Sequence, residues 1–258
     1  NSVDYQLIQH QETTASVIAR FMNGQQIDLQ LTLEQGKKKK LKKNDKQYDK
    51  LIDHIGLVNV VMITPDDIEL VIGHSDVRRK FIDICISQID RVYLNSLSEY
   101  QKILEQRNSQ LKLFSKHKHF DEIIIESYDQ KLVPLANYIF KKRVEVLGIL
   151  NAYFSEYYKE FSSGDEALTF NYISDLHGND YATLLKSNID KDLVLERTNT
   201  GIHKDDVVFE IDNFPLKKFG SQGQQKSFII ALRLAQYRYL KEKIGKSPVL
   251  LLALDQAL

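Results

Sequence analysis

The sequence lacks the marks of several protein classes. Its single cysteine, Cys85, excludes an internal disulfide framework, and we expect a reducing, cytosolic compartment. No apolar run approaches the ~20 residues that a membrane-spanning helix needs, and the first residues have neither the basic start nor the apolar core of a signal peptide. The 35 basic residues balance 35 acidic ones. This neutrality argues against a uniformly basic, nucleic-acid-binding coat and leaves local patches open.

The composition is that of a water-soluble globular chain. Of the 258 residues, 43% are hydrophobic and 27% are charged, which indicates one large domain or two intimate lobes. The sequence begins with Asn1 instead of Met, in the middle of a pattern. We therefore expect it to start inside a larger protein.

The first 64 residues are rich in strand signals. The alternating segments ASVIARF and QIDLQLTLE flank Asn23-Gly24, a dipeptide that favours a β-hairpin. The basic stretch from Lys37 to Lys50 is typical of an exposed turn or an interaction strip. The run LVNVVMI at 57–63 predicts a short buried strand, which Pro65 ends.

The middle of the chain changes to a helical period. Apolar residues recur at three- and four-residue steps from Ser75 to about Lys118, which predicts a long helix broken near the segment DRVYLNS. A second amphipathic block runs from Phe120 to about Phe161. We expect the two blocks to form a helical hairpin packed on itself.

The last third returns to strands after the linker SSGDEA at 162–167. ALTFNYIS and DDVVFEIDNFPLKKF are typical of strands, and the segment between them predicts a short helical connector. A helix follows, and then KSPVLLLAL at 246–254, which predicts a buried parallel strand. This order indicates an α/β fold with an inserted helical lobe, divided into 1–64, 65–162 and 163–258.

The stretch FGSQGQQKS marks the start of that helix. Ser221 and Gln224 have the spacing of a capping box, and two glycines, Gly220 and Gly223, leave room around the helix start. Such a helix N-terminus attracts anions, phosphate above all, through its unpaired amides and the helix dipole. Lys226 in the first turn is unfavourable for the dipole unless an anion is present. The alternative is an ordinary capped helix behind a glycine-rich turn.

Three stretches in order resemble one known family. SQGQQKSFIIALRLAQ followed by SPVLLL resembles the signature motif and Walker B strand of the RecF family, bacterial recombination mediators in the SMC-like branch of cassette ATPases. Residues 63–108 look like the family's second-lobe motif, and ERTNTGIHKDDVVFEI at 196–211 looks like its T-x-x-G-x-H-x-D-D segment. The resemblance runs from roughly residue 57 to 252.

The resemblance implies an α/β ABC-type (P-loop NTPase) ATPase head with an inserted helical lobe. In cassette ATPases the signature closes over the γ-phosphate of ATP that a partner subunit holds, so ATP joins a homodimer. The residues carried over to this role in trans are Ser221, Gln222, Gly223, Gln224, Gln225 and Lys226. A role near the nucleotide or the dimer seam is expected for His203, Lys204, Asp205 and Asp206. For His203, a hydrogen-bonded structural role in a turn is the alternative.

The nucleotide-binding machinery is incomplete in these residues. The Walker A pattern G-x-x-x-x-G-K-[ST] does not occur. Asp255 is a possible Walker B acid, although it lies later than such an acid normally does. We therefore expect the chain as written not to hydrolyse ATP by itself, and we assign no catalytic residue. For the whole protein the resemblance implies ATP and Mg²⁺ as cofactors and a weak DNA-dependent ATPase activity.

DNA binding is the second implied activity. The basic strip would neutralise phosphates without reading sequence, and its alternative is a solvated loop. Two arginines opening the first long helix are further candidates, or they pair with Asp66, Asp67 and Asp76. The DNA candidates are Lys37, Lys38, Lys39, Lys40, Lys42, Lys43, Arg78 and Arg79.

Two smaller predictions concern metal and thiol chemistry. The seven histidines show no metal-ligand spacing, and we expect His117 and His119 at the surface. Cys85 falls on the apolar face of the first long helix, where we expect a buried small hydrophobe instead of a reactive thiol.

Two functions follow from these patterns. The first is a DNA repair and recombination mediator of the RecF type, a cytoplasmic bacterial protein of DNA replication and the SOS response. It would dimerise with ATP on duplex DNA or at single-strand gaps and junctions, and would load a recombinase with RecO- and RecR-type partners. The second is a nucleotide-independent scaffold, in which a cassette-like lobe serves protein–protein contact alone.

Overall fold

A computed structural model describes residues 4–23, 25–161 and 166–253. The chain divides into two compact units, Asn1–Val58 and Asn59–Leu258. The helices of 65–161 share one hydrophobic cluster with the segments that follow them. The boundary between the two compact units therefore lies near residue 58. The predicted division into ATPase lobes at residues 64 and 162 stays a prediction.

The first unit is a four-stranded antiparallel sheet in the order β1-β2-β3-β4. Strand β1 is Thr14–Asn23, β2 is Gln25–Glu34, β3 is Lys40–Lys43 and β4 is Lys46–Gln47, with 3-10 turns at Asp4–Leu7 and Leu51–His54. Strands β1 and β2 pair along their whole length, which confirms the predicted hairpin, although Gly24 itself lies outside the described residues. Leu29 and Leu33 are buried on one face of β2, as the alternation requires.

The lysine run is more ordered than the sequence predicted. Lys40–Lys43 extends the sheet as β3, with Leu41 opposite Leu31. The prediction of an exposed turn holds for residues 35–39 and is wrong for Lys40–Lys43, because that segment pairs with the edge of β2. Side chains alternate along a strand, so Lys40 and Lys42 share one face and Lys43 lies on the other.

The second unit is mixed α/β, as predicted. Its first half contains β5 (Val60–Ile63), a 3-10 turn (Pro65–Ile68), α1 (Glu69–Ile72), α2 (Ser75–Ser87), α3 (Arg91–His117) and α4 (Glu122–Phe161). Its second half contains β6 (Leu168–Ile173), α5 (Tyr181–Ser187), α6 (Ile189–Leu195), β7 (Asp206–Ile211), β8 (Phe214–Pro215), α7 (Leu216–Phe219), α8 (Gln222–Ile244) and β9 (Val249–Leu252). Strands β6, β7 and β8 form an antiparallel sheet, and β5 pairs with β9.

The predicted break in the first helical block is confirmed. Helix α2 ends at Ser87, and the Asp90 carboxylate accepts a hydrogen bond from the Tyr93 amide at 2.9 Å, which caps α3. Helix α4 packs on α3 as the hairpin prediction requires, and it also packs along α8. The hairpin is therefore part of the same body as the signature helix.

Aromatic side chains join α4, the β6–β7 pair and α8. The Phe228 ring lies 4.8 Å from that of Phe154 and 4.6 Å from that of Phe209, centroid to centroid. Phe170 packs edge-on against Phe154 at 5.5 Å. Because these rings are buried, they fix α8 in position about two turns beyond its N-terminus.

The β5–β9 pair confirms one expectation and corrects another. The strands are parallel, with Val60 opposite Val249. The predicted burial of β9 was wrong, since Leu250, Leu251 and Leu252 are 45%, 47% and 60% exposed. A parallel strand is buried only when both sheet faces are covered, and among the described residues α8 packs on β5.

A buried arginine connects three segments of this unit. The Arg143 guanidinium on α4 is 2% exposed and donates to Asp83 on α2 at 3.0 Å and to the Ile202 carbonyl at 2.7 Å. It also donates to Asp205 at 3.2 Å, and Asp205 accepts a second hydrogen bond from the Tyr172 hydroxyl. Charges buried this deeply are tolerated because they are paired.

Cys85 is fully buried, as predicted. Burial raises the pKa of its thiol to about 12, so the thiolate is absent at neutral pH. The expected surface positions of His117 and His119 are also confirmed.

Replacing Arg143 by leucine tests the buried ion pairs. Arg143→Leu leaves Asp83 and Asp205 without their cation, and we expect the free energy of unfolding to fall by about 3–5 kcal/mol. Urea unfolding followed by far-UV circular dichroism measures the change.

The neighbouring lysine is the matched control. Lys142 pairs with Asp90 at 3.5 Å from a partly exposed position, and Lys142→Leu should cost less than about 1 kcal/mol. Equal losses for the two variants would contradict the structural role given to Arg143.

Candidate functional site at the start of helix α8

The N-terminus of α8 is closed by the predicted capping box. The Ser221 hydroxyl accepts a hydrogen bond from the Gln224 amide at 3.2 Å. The Gln224 side-chain oxygen accepts one from the Ser221 amide at 2.7 Å. The pair holds the first turn in one conformation, with the Ser221 hydroxyl at the tip of the helix.

The tip of the helix is exposed and electropositive. Ser221, Gln222 and Gly223 are solvent-exposed, and the first turn contains no acidic residue. The Gln222 and Gly223 amides have no acceptor within the helix, because they precede its first hydrogen-bonded turn. Together with the helix dipole, these amides make a site for an anion such as phosphate.

The two glycines of this turn have different reasons to be glycine. A Cβ on Gly220 would lie 2.5 Å from the Leu216 Cδ1 and 2.8 Å from the Leu216 carbonyl, so packing demands glycine there. A Cβ on Gly223 would meet nothing nearer than the Ser221 hydroxyl at 3.9 Å. The fold therefore does not require Gly223, although glycine weakens a helix by up to about 1 kcal/mol relative to alanine. Its absent side chain leaves space for a group outside this chain.

Gln225 and Lys226 differ in how the structure uses them. The Gln225 side-chain amide points back toward α7 and donates to the carbonyl of Gly220 at 3.1 Å. It therefore fixes the turn that precedes the site. Lys226 is exposed in the first turns of α8, where its charge is available to a bound anion.

Further along, α8 is anchored to the segment after β5. The Arg233 guanidinium donates to both carboxylate oxygens of Asp67, and it lies 5.1 Å from the centre of the Phe81 ring. These contacts and the Phe228 cluster hold the helix from behind. The site at its tip is thus rigidly supported.

His203 is a hydrogen-bonded residue inside the GIHKDD turn. Its Nδ1 lies 2.8 Å from the Tyr100 hydroxyl and its Nε2 lies 3.1 Å from the Thr198 carbonyl. Burial lowers its pKa to about 4, so the ring is uncharged at neutral pH. These contacts favour the structural alternative, and a role at the nucleotide or the dimer seam stays a prediction. Gly201 in the same turn has a φ of 118°, which favours glycine.

The charged residues after His203 separate into exposed and internal ones. Lys204 is exposed, whereas Asp205 is buried against Arg143. Asp206 accepts hydrogen bonds from the Nε and Nη2 atoms of Arg78, at 2.7 and 2.9 Å. Asp205 and Asp206 therefore hold this strand to the helices, which is a structural task.

The two arginine candidates for DNA binding face the interior of the unit. Arg78, 13% exposed at its side chain, pairs with Asp206, and Arg79 donates to the Asp205 carbonyl. The sequence analysis predicted an acidic partner as one alternative for Arg78. The observed partner is Asp206, which was not among the three predicted residues. Asp67, one of those, pairs with Arg233.

The lysine candidates belong to the first unit. Lys37, Lys38, Lys39 and Lys40 are exposed, and Lys42 and Lys43 are half-buried. Lys37 and Lys40 lie 2.5 and 3.9 Å from Glu34 carboxylate oxygens. Glu34 therefore offsets part of the positive charge of the strip.

Three further observations complete the site. Asp255 lies outside the described residues. Within 4–23, 25–161 and 166–253 there is no group of three or more His, Cys, Asp or Glu side chains that could hold a metal ion. Over the same residues no helix is long and apolar enough to cross a membrane.

The sequence analysis missed Arg143 and an aromatic pair beside the site. Arg143 lies on the face of α4 that carries Ile139, Val146 and Leu150, and a cation on such an apolar face was a usable signal. Phe214 and Phe219 are 55% and 62% exposed, with ring centres 5.1 Å apart. Their exposure depends on tertiary packing, so no local pattern predicts it.

Comparison with known proteins gives a consistent result. No protein-family profile matches the sequence. The chain is 46% identical over 220 residues to the DNA replication and repair protein RecF of Flavobacterium johnsoniae, covering 85% of this chain and 61% of that protein. It is 42% identical to RecF of Cytophaga hutchinsonii, covering 84% of this chain and 58% of that protein. The chain thus spans less than two thirds of both relatives.

A third relative and two solved structures extend over nearly the whole chain. RecF of Phocaeicola vulgatus is 36% identical over 258 residues, covering 99% of this chain and 68% of that protein. The recombination mediator protein RecF with ATP, in the RecFOR pathway, superposes with a TM-score of 0.89 at 26% identity, covering 98% of this chain and 70% of that one. The corresponding ATPγS structure gives a TM-score of 0.86, with 97% and 70% coverage. The predicted ABC-type ATPase head is confirmed by these matches.

The contrast between the two glycines is testable by stability alone. Gly220→Ala forces a methyl group against Leu216, and we expect the free energy of unfolding to fall by about 1–3 kcal/mol. Gly223→Ala should leave it unchanged or raise it by up to about 1 kcal/mol. Thermal and urea unfolding of both variants give the comparison. A loss for Gly223→Ala as large as that for Gly220→Ala would mean that the fold itself demands glycine at 223.

Proposed function

The chain belongs to the RecF family of DNA replication and repair proteins, and from this we propose that it supplies the signature half of an ATP-gated, DNA-binding dimer. The whole protein would act as a recombination mediator at single-strand gaps or junctions. The relatives' names support DNA replication and repair. The solved neighbours support ATP as the nucleotide and recombination mediation as the task.

The open glycine at the tip of α8 carries the proposal. Gly223 stands at an exposed helix N-terminus, beside the capping hydroxyl of Ser221, without a packing reason to be glycine. Phosphate needs close approach to backbone amides, and a side chain at 223 would block it. Gln222 and Lys226 flank the same tip and would lie on either side of the bound phosphate.

The residues at this tip are half of a nucleotide site. They provide a hydroxyl, backbone amides and one ammonium group, and the sequence contains no Walker A lysine to accompany them. When bound, ATP would supply a negatively charged terminal phosphate, and these groups would bind that phosphate. Because the tip is exposed, a nucleotide carried by a second subunit can reach it. We infer that Ser221 and the Gly223 amide act in trans, across a homodimer.

Mg²⁺ is the second cofactor that we propose for the whole protein. It would bind together with ATP, and within 4–23, 25–161 and 166–253 no group of three or more His, Cys, Asp or Glu side chains could hold a metal ion. A weak, DNA-dependent ATPase activity is proposed for the whole protein. No residue of the described chain is assigned as its base, and Asp255 stays a candidate Walker B acid.

The lysine strip is the proposed DNA contact. Lys37 to Lys43 carry six lysines on the first unit, and their charges would neutralise phosphates without reading bases. Arg78 and Arg79 contribute less, because their guanidinium groups are engaged with the 205–206 segment. We therefore expect affinity for duplex or junction DNA that is independent of sequence.

The proposed partners follow from family membership. One solved neighbour is described within the RecFOR pathway, and we propose RecO- and RecR-type proteins as partners in a bacterial cytoplasm. A nucleotide-independent scaffold is the alternative function. It is not favoured, because similar structures contain ATP or ATPγS and because a scaffold gives no reason for the open glycine.

ATP-dependent dimerisation of the full-length protein is the first test. Sedimentation velocity should show a monomer without nucleotide and a dimer with ATP and Mg²⁺. Ser221→Arg places a long side chain where the partner's phosphate must enter, and it should abolish the dimer. Monomer binding of a fluorescent ATP analogue should stay within about twofold, because the residue acts on the partner's nucleotide.

Gly223→Ala provides the matched second variant, since it is expected to fold normally. It should weaken the ATP-dependent dimer by at least about tenfold, or 1.4 kcal/mol. Loss of monomer nucleotide binding in Ser221→Arg would contradict action in trans. A sedimentation coefficient indifferent to ATP would favour the scaffold.

Charge removal from the lysine strip tests DNA binding. Glutamine at Lys38, Lys40 and Lys42 should lower the slope of log K against log salt by about 0.9 for each lost phosphate contact. Fluorescence anisotropy with a labelled duplex measures it across salt concentrations. The control is glutamine at Lys241, Lys243 and Lys246, at and beyond the end of α8. An unchanged slope in the strip variant would show that the lysine strip is a solvated surface that does not contact DNA.

A further inference from the structure

A groove lies between α4 and the α5–α6 pair, on unit two. Its floor is apolar, with Ile125 and Leu185 buried beneath it and Val133 and Ile189 along it. Its volume is about 550 Å³, within the range of about 300–1,000 Å³ that is usual for ligand sites. Phe120 closes one end.

The shape of the groove matches a helix. Its α4 wall repeats at helical spacing from Glu122 to Val133, which spans about 16 Å or three turns. The opposite wall is formed by Ala182 and Leu185 of α5 and by Ile189 at the start of α6. An apolar groove lined by a helix over three turns can accept an amphipathic helix.

The charges on the rim select the occupant. Glu122 and Glu126 stand exposed on the α4 wall, one turn apart, and Lys186 stands on the α5 wall. Asp129, also on the α4 wall, is engaged inward with Arg107 at 2.7 Å. The rim is therefore acidic along α4 and basic along α5. Carboxylates on this wall would repel nucleic-acid phosphates, which argues against DNA or RNA as the occupant.

We propose that this groove binds an amphipathic helix of a partner protein, with aliphatic side chains in the floor and Lys or Arg along the edge facing α4. The groove is built from α4, α5 and α6, whereas the proposed phosphate site is built from α7 and α8. It is therefore a surface of its own, and it does not depend on the proposed nucleotide chemistry.

Selection of peptides tests the proposal. A display library of helical peptides of about 15 residues, with leucines at i, i+3 and i+7 and randomised flanks, would be selected on the immobilised full chain. We expect enrichment of Lys or Arg on one flank. Binding of the selected peptides should fall at least about tenfold on Ala182→Trp, which fills the groove from an exposed position.

Charge reversal at one rim residue identifies the orientation. Glu126→Lys should weaken the basic peptides by about tenfold, and peptides with glutamate on that flank should recover binding to this variant. Glu99→Lys, at an exposed position on α3, is the control and should change nothing. Thermal unfolding checks that each variant is folded.

Four outcomes would overturn the proposal: no enriched peptide, enrichment of acidic flanks, binding that survives Ala182→Trp, or no rescue by charge reversal. An effect of Ala182→Trp on the oligomeric state of the protein would also overturn it, because the groove would then be a contact between copies. Peptide binding can succeed while ATP-dependent dimerisation fails, so the two proposals are tested separately.

Discussion

The second unit depends on buried charges that form ion pairs with one another. Arg143 on α4 reaches Asp83 on α2 and Asp205 at the start of β7. Arg107 on α3 forms a second set of ion pairs, with Asp129 on α4 and Asp192 on α6. Each guanidinium would be costly to bury alone, so the surrounding segments must adopt the arrangement that pairs it.

These ion pairs help to determine the position of α8. They hold the turn before β7, and β7 carries Phe209 against Phe228 of α8. The short α7 then leads into Gly220, where Gln225 fastens the turn. As a result the tip of α8, with Ser221 and Gly223, is presented outward by a body that has no freedom to withdraw it. The proposed binding of a partner's phosphate would need amides that are already in place before the nucleotide arrives.

The sequence predicted correctly those features that depend on interactions between residues close together in the chain. The hairpin about Asn23, the helix break near DRVYLNS and the capping box at Ser221 each depend on a few neighbouring residues, and all three are confirmed. The misses depend on distant contacts. The strand at Lys40–Lys43 needs the edge of β2, and the exposure of β9 depends on which faces of its sheet are covered. The partner of Arg78 is 128 residues away along the chain, beyond the reach of any spacing rule.

The central claim is that the tip of α8 binds the phosphate of a nucleotide held by a second subunit. The most direct measurement is a structure of the full-length protein with ATPγS and Mg²⁺. The account predicts the Ser221 hydroxyl and the Gly223 amide of one subunit at about 3 Å from the terminal phosphate on the other. A dimer in which Ser221 faces solvent, or contacts nucleotide bound by its own subunit, would contradict it.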